Sequence, residues 1–275
     1  MSEDKVKSEQ EVIHSKIWHE EPEQDNPFVA AKCFCAGYDV YGEILTHASW
    51  AEYLYLLFKL DRPQQWQADL LERIAVAIAN PGIRSHTVRA AMCAGVGGST
   101  AASALMAALS VGAGKLEGAR DVYLMMNWWN ECGEDIEKWK TMFVNPNELK
   151  RAEVWGEIEH TPGFDPNGVS CATPVKQTLK ELAKFSQGTK LNWLLNHRNE
   201  LENSTQIPLA MSSVIATAFV DLEMTPEQGE MLFLLLRLPG AAVHALEQKE
   251  YGWKKYPFFG PALKIENDPG SENEK

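Results

Sequence analysis

Toward its C-terminal end the chain reads Arg237-Leu238-Pro239-Gly240-Ala241-Ala242-Val243-His244-Ala245-Leu246-Glu247-Gln248, then Tyr251-Gly252-Trp253-Lys254-Lys255-Tyr256-Pro257-Phe258-Phe259-Gly260. The first block predicts a short helix. Arg237 lies between Leu236 and Leu238, and a guanidinium inside such an apolar run needs an anionic partner, because burying it alone is costly. That partner is either a ligand carboxylate or a core carboxylate of the protein. His244 follows seven residues later, two helical turns along, so both side chains face the same way. It is either a site residue or a packing histidine bonded to a carbonyl. The second block is basic and aromatic.

Helical signals continue upstream. Ser49-Trp50-Ala51-Glu52 has the spacing of a capping box and opens a run with Leu54, Leu57 and Phe58 on one face. Leu70, Ile74, Ala77 and Ile78 repeat at helical spacing and stop at Asn80-Pro81-Gly82. Residues 87 to 112 are rich in Ala, Gly and Ser, with Gly95 to Gly98 as a break between two helices. Such small side chains let helix backbones approach closely. A further helical pattern covers about 120 to 143, another starts at Thr173-Pro174, and Thr225-Pro226-Glu227-Gln228 caps the run through Leu238. No stretch sustains period-two alternation. The expected architecture is all-α, with about ten helices and an irregular or extended lead-in over Pro27 to Val40. Residues 1 to 26 and 265 to 275 are charged and are expected to be mobile or superficial.

Apolar residues make up 45% of the 275 and charged residues 23%, the profile of a globular domain with a sizeable core. The net charge of -12 argues against nucleic acid and anionic membrane as partners. The five cysteines show no paired spacing, so free thiols are expected and no metal site. The start of the sequence has no signal-peptide core, and the most apolar stretch, about Ala101 to Gly112, is half a membrane span. A cytoplasmic location is expected.

The order of these features resembles the citrate synthase superfamily across about residues 37 to 261, especially its short citryl-CoA lyase-like branch. Gly37-Tyr38-Asp39-Val40-Tyr41-Gly42 before the capped helix, Ser85-His86-Thr87 before the small-residue helices, Pro162-Gly163-Phe164, Ile207 to Asp221, and Arg237 to Gln248 carry the resemblance. It implies a multi-helix fold with a large helical domain (27–264) and a smaller helical subdomain (about 145–237). It also implies carbon–carbon bond cleavage or formation next to a CoA thioester of a polycarboxylic acid, and a homodimer or a dimer of dimers.

Such chemistry needs a carboxylate to move the proton next to the thioester, donors for the developing oxyanions, and arginines for substrate carboxylates. Arg237 matches the family's carboxylate-binding arginine, and His86 and Arg89 are further substrate-binding candidates. Lys254 and Lys255, flanked by Trp253 and Tyr256, suit a CoA phosphate and adenine, or form a solvated basic edge. The usual catalytic residues are replaced. Glu117 stands where the first histidine falls, Phe164-Asp165-Pro166-Asn167 where the second follows, and Ala210-Met211-Ser212-Ser213 where the aspartate belongs. Glu117, Asp165, His244 and Ser212 are therefore the catalytic candidates. Glu117 and Asp165 are otherwise exposed loop acids, and Ser212 donates a hydrogen bond but is no base. A second reading is a non-catalytic homologue that binds a ligand or supports an active subunit.

Overall fold

Ser49 and Glu52 close the capping box that their spacing predicts: Glu52 N donates to Ser49 Oγ at 3.2 Å and Ser49 N to Glu52 Oε2 at 2.7 Å. Thr225 and Gln228 close a second one. The computed structural model describes residues 14–144 and 161–256. Within them a three-stranded antiparallel sheet precedes the helices: β1 (Trp18–Pro22), β2 (Ala30–Cys35) and β3 (Tyr38–Asp39), in that order. β1 is exposed along its whole length, so no buried face imposes alternation on its sequence. The described part of the N-terminal segment thus contains a strand that composition does not announce. Asp39 then accepts from Tyr41 N and Gly42 N and starts a π-helical turn, Val40–Ile44.

Eleven α-helices follow among the described residues: α1 (Leu45–His47), α2 (Trp50–Lys59), α3 (Gln65–Ile78), α4 (His86–Val96), α5 (Ala101–Gly112), α6 (Ala119–Cys132), α7 (Ile136–Val144), α8 (Thr173–Phe185), α9 (Lys190–Thr205), α10 (Met211–Asp221) and α11 (Pro226–Tyr251). The break at Gly95 to Gly98 falls between α4 and α5 as expected. Two expectations change. The pattern over about 120 to 143 is two helices, because Gly133 adopts φ +54 and turns the chain between α6 and α7. The Arg237-to-His244 helix is no separate short element. It is the second half of α11, which runs through Pro239. An interior proline removes one backbone donor, and the next donor, Gly240 N, leaves the helix for Ala79 O at 2.7 Å.

Buried side chains from α2, α3 and α6 to α11 form one large core, in which the Trp139 ring touches those of Trp128, Trp129 and Trp193. A second cluster is built almost wholly from alanine: Ala91, Ala104, Ala108, Ala241 and Ala245 join α4, α5 and α11. Here the backbones do approach closely. A Cβ added to Gly95 would lie 2.4 Å from Ala245 O. Among the described residues α11, and not the 101–112 stretch, is the one helix long and apolar enough to cross a membrane. Its inward face nevertheless buries Arg237 and Gln248 against the helical core.

Candidate functional site

Three chain segments meet at the N-terminal end of α6, and one side chain ties two of them together. Asp121 lies on the inward stripe of α6 with Met125, Trp128 and Trp129 and is almost fully buried. Its Oδ1 accepts from Gly163 N at 3.0 Å and its Oδ2 from Ser212 Oγ at 2.5 Å. Gly163 belongs to the Pro162-Gly163-Phe164 turn and Ser212 to the first turn of α10. The same loop is pinned by an isolated bridge between Phe164 and Leu209 and by Ala210 N donating to Gly163 O. Gly163 needs its missing side chain: at φ +79, a Cβ there would meet Ser213 Oγ at 2.2 Å. Ser213 Oγ is itself buried without a hydrogen-bond partner among the described residues. Burial pushes the Asp121 carboxyl up to about 7; the bonds from Ser212 and Gly163 oppose the rise and the nearby Glu117 charge adds to it.

Arg237 reaches this end of α6 from α11. Its Nη1 donates to the Glu117 carbonyl at 2.7 Å and its Nη2 to Ser85 Oγ at 3.1 Å, with the guanidinium over the Phe233 ring at 4.8 Å. Burial holds its pKa below the usual arginine value, and the Glu117 charge works the other way. Of the two sequence-based alternatives, the core carboxylate is not found among the described residues. The hydrogen-bond partners of Arg237 are a carbonyl and a hydroxyl, and no core carboxylate salt-bridges it among the described residues. A buried guanidinium held by neutral acceptors still has donors to offer an anion.

Glu117 is exposed in the turn before α6, in the left-handed region at φ 54. Its backbone, not its carboxylate, touches Arg237. Asp165 secures its own loop by accepting from Asn167 N at 2.9 Å, while its backbone N donates to Pro208 O. His244 shares the inward face of α11 with Arg237, as its spacing predicts. Its Nδ1 meets Glu247 Oε2 at 3.2 Å rather than a carbonyl, and its Nε2 is buried without a partner among the described residues. His86 and Arg89 are exposed on the first turn of α4. Lys254 and Lys255 sit over the rings of Trp253 and Tyr251. Next to them Tyr256 Oη lies 2.7 Å from Cys93 Sγ on α4.

The structure therefore joins Arg237, Glu117, Ser85, Asp121, Ser212 and Gly163 into one cluster. Asp121 is the residue that motif reading misses. Its signal was present: a lone acid at the start of a stripe otherwise filled by Val122, Met125, Trp128, Trp129 and Cys132. A cleft of about 150 Å³, lined by Tyr38, Ile44, His47, Tyr53, Leu56 and Arg62, contains none of these residues. Geometry and charge single out the cluster.

No protein-family model and no curated protein sequence matches the chain. Solved structures do. Citryl-CoA lyase from Hydrogenobacter thermophilus superposes with a TM-score of 0.71 at 16% identity, over 95% of this chain and 97% of that one. ATP citrate lyase from Methanothrix soehngenii, solved with citrate and coenzyme A, gives 0.70 at 19% identity, over 96% of this chain and 43% of that one. Citrate synthase from Thermoplasma acidophilum, solved with carboxymethyl coenzyme A and oxaloacetate, gives 0.53 at 18% identity, over 80% and 59%. The chain has the citrate synthase-like all-α fold, in the short form of citryl-CoA lyase.

Proposed function

We propose that this chain, sharing the full-length fold of a citryl-CoA lyase, binds a polycarboxylic acid or its CoA thioester at Arg237. At that site it would cleave or form the carbon–carbon bond next to the thioester. The observation that carries this reading is the buried Arg237 guanidinium, bonded to the Glu117 carbonyl and Ser85 Oγ and, among the described residues, to no protein carboxylate. A substrate carboxylate would complete its donor set and supply the countercharge that burial demands. The acid/base set is non-standard. Glu117 offers an exposed carboxylate beside Arg237, Asp165 a second acid on the adjoining loop, and His244 an imidazole on the arginine's own helix face. Ser212 has its proton committed to Asp121, so it meets a ligand through its lone pairs while Asp121 positions it. His86 and Arg89 at the start of α4 would extend the anion site. Lys254 and Lys255 would take the CoA phosphates.

One observation favours a second reading, a non-catalytic homologue that binds a ligand or supports an active subunit. The buried acid nearest the site, Asp121, is closed onto Ser212 and Gly163. The surrounding reading includes a cytoplasmic location, a smaller subdomain over about 145–237, and assembly as a dimer or a dimer of dimers.

The test is a coupled assay of free CoA and acetyl-CoA release across a panel of hydroxyacyl-CoA thioesters, alongside calorimetric titration with citrate and CoA. Turnover by the purified chain alone excludes the non-catalytic reading. Binding without turnover, with co-purification of an active homologue, supports it. Absence of both binding and turnover sinks the proposal.

A further inference from the structure

Outside the large core lies a smaller one, in which Cys35, Val40, Ile44 and Leu56 join β2, the π-helical turn and α2. The cleft of about 150 Å³ opens onto it, with Ile44 and Leu56 as an apolar floor and Pro63 beside them. Local signals bring its rim together. Asp39 caps the turn that carries Glu43, and Leu60 ends α2 in the left-handed region at φ 58, returning Arg62 and Pro63 to the cleft. Of the fixed charges on this rim, Glu52 is committed, since its Oε2 accepts from Ser49 N. Glu43 and Arg62 are not. Among the described residues the Glu43 carboxylate and the Arg62 guanidinium have no salt bridge or hydrogen bond, with each other or with any other group. A solvated charge needs no partner, but here an acid and a guanidinium share one apolar hollow without meeting.

We infer that the cleft is a second ligand site and that it binds an aliphatic α-amino acid as its zwitterion. The ligand carboxylate lies on Arg62, its ammonium on Glu43, and its side chain on Ile44, Leu56 and Pro63. A guanidinium takes a carboxylate through paired hydrogen bonds, and a carboxylate accepts from an ammonium. Two opposite charges on one small ligand answer two opposite charges on one small rim, while the apolar floor takes the rest. The size also fits. At about 15–30 Å³ per non-hydrogen atom the cleft holds about 5–10 of them, a range that spans alanine to leucine and excludes a CoA thioester. A plain carboxylic acid would leave Glu43 unanswered, and a plain amine would leave Arg62. This inference does not rest on the ligand proposed for Arg237, because the cleft contains no residue of that cluster.

The experiment is calorimetric titration of the full chain with L-alanine, L-valine, L-leucine and L-isoleucine, each to about 10 mM, repeated on Arg62→Gln, Glu43→Gln and Arg237→Met. At least one of these amino acids is expected to bind. Either cleft variant should weaken it about tenfold, the scale of a lost charge-assisted hydrogen bond, and Arg237→Met should leave it unchanged. Glu43 and Arg62 are exposed, so both cleft variants should melt with the parent. Isocaproate and isoamylamine, which are leucine with one charge removed, should bind at least about tenfold more weakly than the best amino acid. Absence of binding by all the amino acids overturns the inference, as does binding that either cleft variant leaves undiminished. Binding abolished by Arg237→Met would move the amino acid to the Arg237 cluster and overturn it too. Isocaproate binding as tightly as the amino acids would assign the cleft to a plain carboxylate and overturn the zwitterion.

Discussion

Arg237 Nη1 donates to the main-chain carbonyl of Glu117 at 2.7 Å, across 120 residues of sequence. This bond fixes the turn before α6 to the middle of α11. Glu117 holds a left-handed backbone that a non-glycine residue adopts only at some cost. The guanidinium thus buttresses the turn and leaves the Glu117 carboxylate free to face outward.

Arg237→Met follows directly. The variant keeps most of the side-chain volume and, among the described residues, strands no buried carboxylate, so the stability loss expected of a broken buried ion pair, about 3–5 kcal/mol, does not apply. Only the Glu117 carbonyl and Ser85 Oγ lose a donor, which costs about 1–3 kcal/mol if water cannot replace it and less once the buried charge is gone. Binding of citrate should weaken by about 2–4 kcal/mol. Melting temperature with and without citrate measures both effects. A strongly destabilised variant whose response to citrate survives would remove Arg237 from the site.

Asp121→Asn separates the role of charge from the role of shape. The Asp121 carboxyl sits at about 7 in the fold against an ordinary 3.8, so the folded state holds its proton more tightly than the unfolded chain. Its contribution is fully present below about pH 4 and is lost as pH rises through 7. The shift of about three units amounts to about 4 kcal/mol in all. Urea unfolding between pH 5 and 8 should show the parent losing on the order of 2 kcal/mol more than Asp121→Asn over that interval. Equal pH slopes would contradict the buried acid.

The fold was legible because its signals are local. The boxes at Ser49 and Thr225, the glycine break after Val96 and the ordered small-residue helices each state a helix boundary within a few residues. What was not legible depends on contacts that no local pattern states. Gly133 turns the α6–α7 pattern, and its carbonyl is claimed by Trp139 Nε1. Pro239 stays inside α11 because Gly240 finds Ala79 on another helix. The strands at Trp18 and Ala30 have little buried surface, so no pattern marks them. In the site, Arg237 and Ser212 could be named from order alone. Asp121 emerged only when Gly163 and Ser212 came within hydrogen-bond reach.

Gly240→Ala and Gly95→Ala test the close packing of α11. Added Cβ atoms would lie 2.5 Å from Ala79 O and 2.4 Å from Ala245 O, against backbone that cannot swing aside. Each variant should lose at least about 1–3 kcal/mol of stability, despite the better helix propensity of alanine. Gly98→Ala is the contrast. Its site is open, and only its left-handed φ of +78 opposes a side chain, at about 1–2 kcal/mol. Denaturant midpoints rank the three.

Trp139 reports on the junction between α6, α7 and α9. Its ring is fully buried and touches Trp129, Trp193 and Trp128 at centroid distances of 5.1, 6.2 and 6.4 Å. Its Nε1 donates to Gly133 O at 2.9 Å, latching α7 back onto the turn that created it. Trp139→Phe removes the latch but keeps a ring, so a loss of about 1–2 kcal/mol is expected, the scale of one buried hydrogen bond with a small void. Trp139→Ala also empties the junction and should cost about 3–5 kcal/mol. The difference between the two variants isolates the packing contribution. Near-equal losses would mean that the Gly133 bond, not the aromatic cluster, holds α7 against α6 and α9.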